Sequence, residues 1–209
     1  MFRLFQSNDS GKSNPLSGIE KNRVWNPDAQ ERLRDILARL SSNGSISHDR
    51  VSVVSANLNL GDKPRLADIV PELSQTLYHQ VREAGISYDA VTSCPTGGDA
   101  WAEAFAAQTK ADGRDVSFYR LNKVDRRKFS VIDGQPIPRG AGVIVADDTI
   151  YEGRTSAAAV KVLEKAGFKI AGLVFPVEIG LSGRRYWEKR GIPIFSVYNN
   201  ATVKALSGI

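Results

Sequence analysis

Cysteine is nearly absent from this chain. The 209 residues contain one, Cys94, together with only two histidines, His48 and His79. A single thiol excludes an internal disulfide, and no Cys/His cluster has the spacing of a zinc site. Long apolar runs are also missing. No stretch approaches the roughly 20 apolar residues that cross a bilayer, and the opening Met1-Phe-Arg-Leu-Phe-Gln-Ser7 lacks the apolar core of a secretory signal. A soluble, cytoplasmic protein is the expectation. Acids are the minority charge: 23 Asp and Glu against 28 Lys and Arg leave a formal +5. That balance suits nucleic acid, an anionic small molecule or plain solubility. A hydrophobic share of 42% is enough for a real core, and the length suits one domain with at most a small appendage.

The most informative stretch present is Val143-Ile-Val-Ala-Asp-Asp-Thr-Ile-Tyr-Glu-Gly-Arg-Thr155. Four apolar residues end in two adjacent acids, a Gly-containing turn follows, and an Ala-rich helical segment comes after it. A buried strand that delivers two carboxylates to its carboxyl end, just before a helix N-terminus, suits a polar or phosphorylated ligand. The acids would hold sugar hydroxyls or a hard cation, and the turn's N–H groups a phosphate. The plainer alternative is a strand followed by a polar turn, since Asp and Gly are ordinary turn residues.

Residues 1–24 are rich in Ser, Asn, Gly and Lys without periodicity and read as a flexible lead. Gly11-Lys12-Ser13 has the ending of a phosphate-binding P-loop, but Gln6 stands where that motif needs glycine, so the match fails. Helices are expected over 27–40 and 64–84, the second with Ile69, Leu73, Leu77 and Val81 on one face and Gly85 as its stop. A strand is expected over 51–60. Strands over 88–93, 116–121, 143–146, 170–177 and 194–197 then alternate with helices over 99–110, 155–166 and 181–190. Asp99 is the expected cap of the first of these helices. Residues 122–140 read as irregular, with a hairpin around Asp133-Gly134. Such alternation predicts an α/β fold with a mostly parallel sheet covered by helices.

Ligands of such sheets bind beyond the carboxyl ends of the strands. Three loops converge there. The first is Cys94-Pro-Thr-Gly-Gly-Asp99, whose glycines let the backbone approach a ligand closely. The second is basic: Arg120, Lys123, Arg126, Arg127, Lys128 and Arg139 crowd one segment. The third is the acidic turn. Together they suit a phosphorylated sugar with a metal-bound pyrophosphate. Cys94 as a nucleophile would need a positioned base, and no motif links it to His48 or His79. A small buried hydrophobe is the favoured role.

These residues resemble the type I phosphoribosyltransferases, especially the orotate enzymes. The likeness extends to Lys63-Pro-Arg-Leu66, Ala84-Gly-Ile-Ser-Tyr-Asp-Ala-Val91, Cys94-Pro-Thr-Gly-Gly98 and Val162-Leu-Glu-Lys-Ala-Gly-Phe-Lys169, in order, over about 44–200. The resemblance implies the type I phosphoribosyltransferase fold, with hood elements over 25–62 and a core over 63–200 inside a domain of 25–209. It implies transfer of the 5-phosphoribosyl group from phosphoribosyl pyrophosphate to a nitrogenous base. Orotate is the nearest substrate of the family; its product is orotidine 5′-phosphate, in pyrimidine nucleotide biosynthesis. Mg²⁺ would arrive with the substrate and lie within reach of Asp147 and Asp148, which hold the ribose hydroxyls. Tyr151, Glu152, Gly153, Arg154 and Thr155 would wrap the 5′-phosphate, and Thr96, Gly97 and Gly98 would meet the pyrophosphate. Arg120, Lys123 and Arg126 would close over the site, in this family usually from the other subunit of a homodimer.

Three departures qualify the likeness. Glu152 and Arg154 stand in a phosphate loop that usually has small or hydroxyl residues. Only Arg120 keeps the register of the basic loop. Glu178-Ile179 replaces the family's Asp-Arg pair, so Ile179 in the base pocket has no hydrogen bond to offer orotate. The sequence therefore leaves open a divergent enzyme acting on another base or ribose phosphate. It also leaves open a non-catalytic, nucleotide-responsive or RNA-binding regulator on the same fold, although no aromatic–basic platform for RNA stands out.

Overall fold

The computed structural model describes residues 69–95, 97–125, 128–131, 138–199 and 201. The expected lead, the hood elements, the helix over 27–40 and the strand over 51–60 lie outside the described residues. The first described element, helix α1 (Ile69–Glu83), carries Glu72 in its first turn and Arg82 in its last, each on the side the helix dipole favours. Leu73, Leu77 and Val81 recur every fourth residue and are buried, as their spacing predicts.

Six strands form one sheet, and every pairing in it is parallel. The strands are β1 (Ala90–Ser93), β2 (Ser117–Tyr119), β5 (Gly142–Ala146), β6 (Thr149–Ile150), β7 (Lys169–Glu178) and β8 (Ile194–Tyr198). Helix α2 (Asp99–Ala111) links β1 to β2. Helix α3 (Arg154–Lys165) links β6 to β7, and α4 (Ser182–Glu188) links β7 to β8. The spatial order is β2-β1-β5-β7-β8, with β6 continuing the line of β5 along the far end of β7.

Both faces of the sheet are covered, which explains why β5 reads as an unbroken apolar run rather than an alternation. Successive side chains point to opposite faces. Val91, Ile144, Val174 and Phe195 therefore pack with Leu73, Leu77, Trp101 and Phe105 of α1 and α2. Ala90, Val143, Val145, Leu173 and Phe175 pack on the other side with Ala159, Val160 and Leu163 of α3 and Trp187 of α4.

The segment after β2 differs from its expected irregular course. It forms an antiparallel pair, β3 (Leu121–Asp125) with β4 (Lys128–Val131), closing at Asp125↔Lys128. This hairpin lies earlier in the chain than the one expected at Asp133-Gly134, a pair outside the described residues. Leu121 and Phe129 anchor it to the α3 side of the core, so two well-spaced apolar residues were enough to order a basic segment. β6 was not anticipated either. Two residues are too short for a period to register, and only the partner strand β7 makes them a strand.

The core should behave as a close-packed solid. Phe105 is fully buried between α1 and the sheet. Phe105→Ala should cost about 3–5 kcal/mol in urea unfolding; a loss below about 1 kcal/mol would contradict this packing.

Candidate active site at the carboxyl end of the sheet

The chain leaves β1 toward one edge of the sheet to build β2, then returns to β5 and runs toward the other edge. The crevice between β1 and β5 is thus the topological switch point, where open α/β sheets bind ligands. Two loops meet there.

The first follows β5. Ala146 pairs with Val174 and Thr149 with Val177, so Asp147 and Asp148 lie opposite Phe175 and Pro176 with no change of offset. The Asp147 N–H donates to Val174 O at 3.2 Å. An unbroken parallel ladder would next have residue 176 donate to Asp147 O, but proline has no N–H to give. The ladder opens at the acidic pair because of its partner strand. The Asp148 N–H turns to Asp147 Oδ1 at 3.0 Å, and Thr149 Oγ1 donates to Asp148 Oδ1 at 3.1 Å.

The second loop follows β1. The Cys94 N–H donates to Ala146 O at 2.8 Å, continuing the β1–β5 ladder to the brink of the acids. Gly97 and Gly98 then pass directly over them. A Cβ on Gly97 would sit 2.7 Å from Asp148 Cγ; one on Gly98 would sit 2.9 Å from Cys94 O and 3.0 Å from Asp147 Cα. At Gly98, where the neighbouring atoms are backbone, only glycine fits. Asp99 is not the helix cap expected of it. Gly98 occupies the N-cap without a side-chain bond, and the Asp99 carboxylate instead accepts the Ser93 hydroxyl at the end of β1. Thr96 lies outside the described residues.

Beyond β6 comes the loop of Tyr151, Glu152 and Gly153, with Arg154 and Thr155 opening α3. Gly153 caps the helix at φ 76°, a left-handed conformation that favours glycine. The loop is tied to α4. Tyr151 O accepts the Gly183 N–H at 2.8 Å and the Ser182 hydroxyl at 3.1 Å. Ser156 Oγ accepts the Trp187 indole N–H at 3.1 Å and donates to Gly153 O at 3.0 Å. Arg154 Nε lies 2.6 Å from Glu152 Oε2, with both side chains exposed.

Arg120 is exposed and paired with Glu103 of α2, a partner no sequence signal suggested. Lys123 is exposed on β3, and Arg126 lies outside the described residues. Ile179 packs against the α1–α2 core and donates its N–H to Ile150 O at 2.7 Å. Its neighbour Glu178 is fully buried and bound by Arg184, at 2.9 Å and 3.0 Å from Nε and 2.7 Å from Nη2, with Ser196 Oγ at 3.3 Å. Sequence reasoning missed Arg184. Six residues and the end of a strand separate it from Glu178, so no helical spacing flags the pair. The Glu178 carboxylate is thus engaged by donors of the protein itself.

Asp147 and Asp148 are nearly solvent-free. Burial, reinforced by the Asp148 charge, pushes the Asp147 carboxyl well above the usual carboxylate range. Burial likewise pushes the Cys94 thiol far up, with the Asp147 charge and a hydrogen bond to it adding to the effect. Cys94 is thus a neutral, buried thiol beneath the acids, the role its isolation in the sequence favoured. Among the described residues no three Asp, Glu, His or Cys side chains group to hold a metal ion. Two adjacent carboxylates fit Mg²⁺ that arrives with substrate oxygens, since Mg²⁺ is commonly held by one or two carboxylates plus phosphates.

Two measurements check this electrostatic picture. The folded protein retains the Asp147 proton above about pH 3.9, where the unfolded chain releases it. Stability should therefore fall as pH rises from there through the raised pKa and level off above it. Asp147→Asn should flatten that slope in urea titrations; an unchanged slope would refute the assignment. Cys94 should resist an aromatic disulfide reagent in the native protein and titrate as one thiol after unfolding, whereas rapid native labelling would place it at the surface.

Comparison with known proteins agrees with the architecture. Residues 56–202 match the family model described as "Phosphoribosyl transferase domain". The chain is 27% identical over 118 residues, 56% of its length, to the orotate phosphoribosyltransferase of Thermosynechococcus vestitus. It is 40% identical over 55 residues, 26% of its length, to the adenine phosphoribosyltransferase of Rubrobacter xylanophilus. The matched stretches span 62% and 30% of those two proteins' own lengths. Among solved structures, the Mycobacterium tuberculosis orotate phosphoribosyltransferase in complex with 5-phospho-α-D-ribosyl 1-diphosphate superposes with a TM-score of 0.59 at 20% identity, covering 86% of this chain and 93% of that one. The adenine phosphoribosyltransferase of Thermoanaerobacter pseudethanolicus gives 0.52 at 19%, covering 64% and 81%. At such identities the superpositions establish the fold alone. The family model spans well over half of the chain, and with its parallel sheet and switch-point crevice the chain belongs to the phosphoribosyl transferase domain family.

Proposed function

We propose that this protein transfers the 5-phosphoribosyl group of phosphoribosyl pyrophosphate to a nitrogenous base. One observation carries the reading. Two buried carboxylates at the end of β5 lie directly under the Gly97-Gly98 backbone at the switch point, which supports a crevice where acids suited to a diol meet amides suited to an anion. A base nitrogen attacks the anomeric carbon, the bond to pyrophosphate breaks, and the leaving group takes the electron pair. Positive charge gathers on the sugar in the transition state and negative charge on the leaving group, so placement and electrostatics supply most of the catalysis.

In this reading Asp147 and Asp148 accept hydrogen bonds from the ribose 2′- and 3′-hydroxyls and draw developing positive charge toward their side of the ring. The amides of the Gly153–Thr155 turn hold the 5′-phosphate, and those of Gly97 and Gly98 hold the pyrophosphate. Bound Mg²⁺ would supply charge neutralisation on the pyrophosphate. Arg120, Lys123 and Arg126 close the mouth and exclude water, and a homodimer would let one subunit's basic hairpin serve its partner's site. Orotate is the nearest family substrate, with pyrimidine nucleotide synthesis as the setting. A second reading, another base, is favoured by Ile179 and by the Arg184 pairing that already engages the buried Glu178 carboxylate. Losing each charge-assisted bond to orotate would cost about 1.5–3 kcal/mol.

Pyrophosphate release measured with Mg²⁺, phosphoribosyl pyrophosphate and a panel of bases tests both. Release with orotate supports the first reading and release only with another base the second. Binding with no turnover on any base would overturn the enzymatic proposal. Asp147→Asn combined with Asp148→Asn should abolish phosphoribosyl pyrophosphate binding, by calorimetry, while the protein stays folded. Undiminished binding in that variant would remove the acids from the site.

A further inference from the structure

The turn that opens α3 breaks a local electrostatic rule. The N-terminal end of a helix is its positive end, and its first N–H groups have no intrahelical partners. Acids and capping hydroxyls normally stand there. Here Gly153 caps the helix with no side-chain hydrogen bond, the first turn contains no acid, and its first residue is a cation, Arg154. An arginine at that position adds positive charge to a positive end, which is unfavourable unless an anion is close. The anion present is Glu152, which stands just before the helix and holds the Arg154 guanidinium at 2.6 Å. Neither side chain is tied elsewhere by packing: Arg154 keeps 62% of its side-chain surface and Glu152 40%. The backbone between them is the reverse, fixed by the Tyr151 contacts to α4 and by the Gly153–Ser156–Trp187 chain of hydrogen bonds.

We propose that Arg154 is a phosphate-binding residue of this site and that Glu152 occupies its guanidinium until the phosphate arrives. The inference rests on the phosphoribosyl reading of the crevice and adds to it a side-chain contact beside the backbone amides. An exposed ion pair is weak, whereas a guanidinium and a phosphate dianion pair bidentately through charge-assisted bonds. The ligand therefore displaces Glu152 readily. After the exchange the glutamate is left as an unpaired negative charge close to the bound phosphate. Glu152 thus lowers affinity in two ways, by competing for Arg154 and by repelling the ligand, and the first operates only while Arg154 is present.

Calorimetric titration with ribose 5-phosphate, and separately with inorganic pyrophosphate, reads the exchange without turnover. Arg154→Gln should weaken ribose 5-phosphate about tenfold and Glu152→Gln should tighten it about three- to tenfold, the range expected for one charge-assisted contact and one exposed competitor. The tightening should shrink at least by half when Glu152→Gln is made in the Arg154→Gln background. Pyrophosphate binding, which uses the β1 loop, should change less than twofold in all three variants. An equal effect of Glu152→Gln in both backgrounds would mean simple repulsion and would overturn the exchange, as would an Arg154→Gln variant with unchanged affinity. Absence of ribose 5-phosphate binding by the unaltered protein would instead sink the phosphoribosyl reading itself, and this proposal with it. Circular dichroism and thermal melts of the variants separate folding loss from affinity loss.

Discussion

The fit of the Gly97–Gly98 backbone against the end of β5 is the constraint on which the site depends. A single methyl group on Gly98 would meet the Cys94 carbonyl and the Asp147 α-carbon at or below 3.0 Å. That approach brings the amides after β1 over the carboxylates after β5. It also seals Cys94 beneath them and makes the low-dielectric setting that holds Asp147 protonated beyond its ordinary range. A looser crossing would admit water between the two loops and leave two ordinary surface acids. The sheet order makes the crossing possible, because only at the switch point do neighbouring strands send their following helices to opposite faces.

Charge in and around the crevice is balanced internally. The carboxylates lie inside, at Asp147, Asp148 and Asp99, while cations stand at the rim with acidic partners, Arg120 with Glu103 and Arg154 with Glu152. These rim pairs are exposed and differ in kind from Arg184–Glu178, where a fully buried carboxylate is held by a guanidinium at 2.7 Å. Removing the partner of a buried charge costs about 3–5 kcal/mol, whereas exposed pairs contribute about 0–1. The inner pair therefore belongs to the architecture of the β7 end, and the rim pairs are the ones free to exchange partners.

Much of this was legible before any coordinates. Five of the six strands of the sheet, α1 with its Leu73-Leu77-Val81 stripe, the helix stops and the acidic pair all announce themselves through periodicity and composition. The family likeness carried by residues 84–98 and 143–155 agrees with the family match. What escaped has a common cause. Arg120–Glu103 and Arg184–Glu178 join residues whose proximity is created by the fold, and β6 exists only because β7 runs alongside it. The basic hairpin escaped because Leu121 and Phe129 look too sparse, in a charged stretch, to anchor an element. Asp99 was misjudged for a subtler reason. Its type suits an N-cap, but the close crossing puts glycine there and turns the carboxylate to Ser93.

β7 is a ten-residue strand that carries β5 at one end and β6 at the other, with one register shift between Val143 and Ile144 and an unchanged offset from Ile144 through Ile150, and α4 at its far end grips the loop between β6 and α3. The acids and the turn that opens α3 are therefore mounted on the same rail. They can shift together with the sheet but hardly against one another, so the distance between the acidic pair and the turn that opens α3 is fixed like the spacing of two teeth on one comb. Adaptation to ligands of different length has to come from the opposite side of the crevice, where the β1 loop and the basic hairpin hang from shorter strands. On the proposed reading, a fixed gauge on one side and an adjustable one on the other would let a single scaffold measure the ribose phosphate strictly while tolerating variety in what is joined to it.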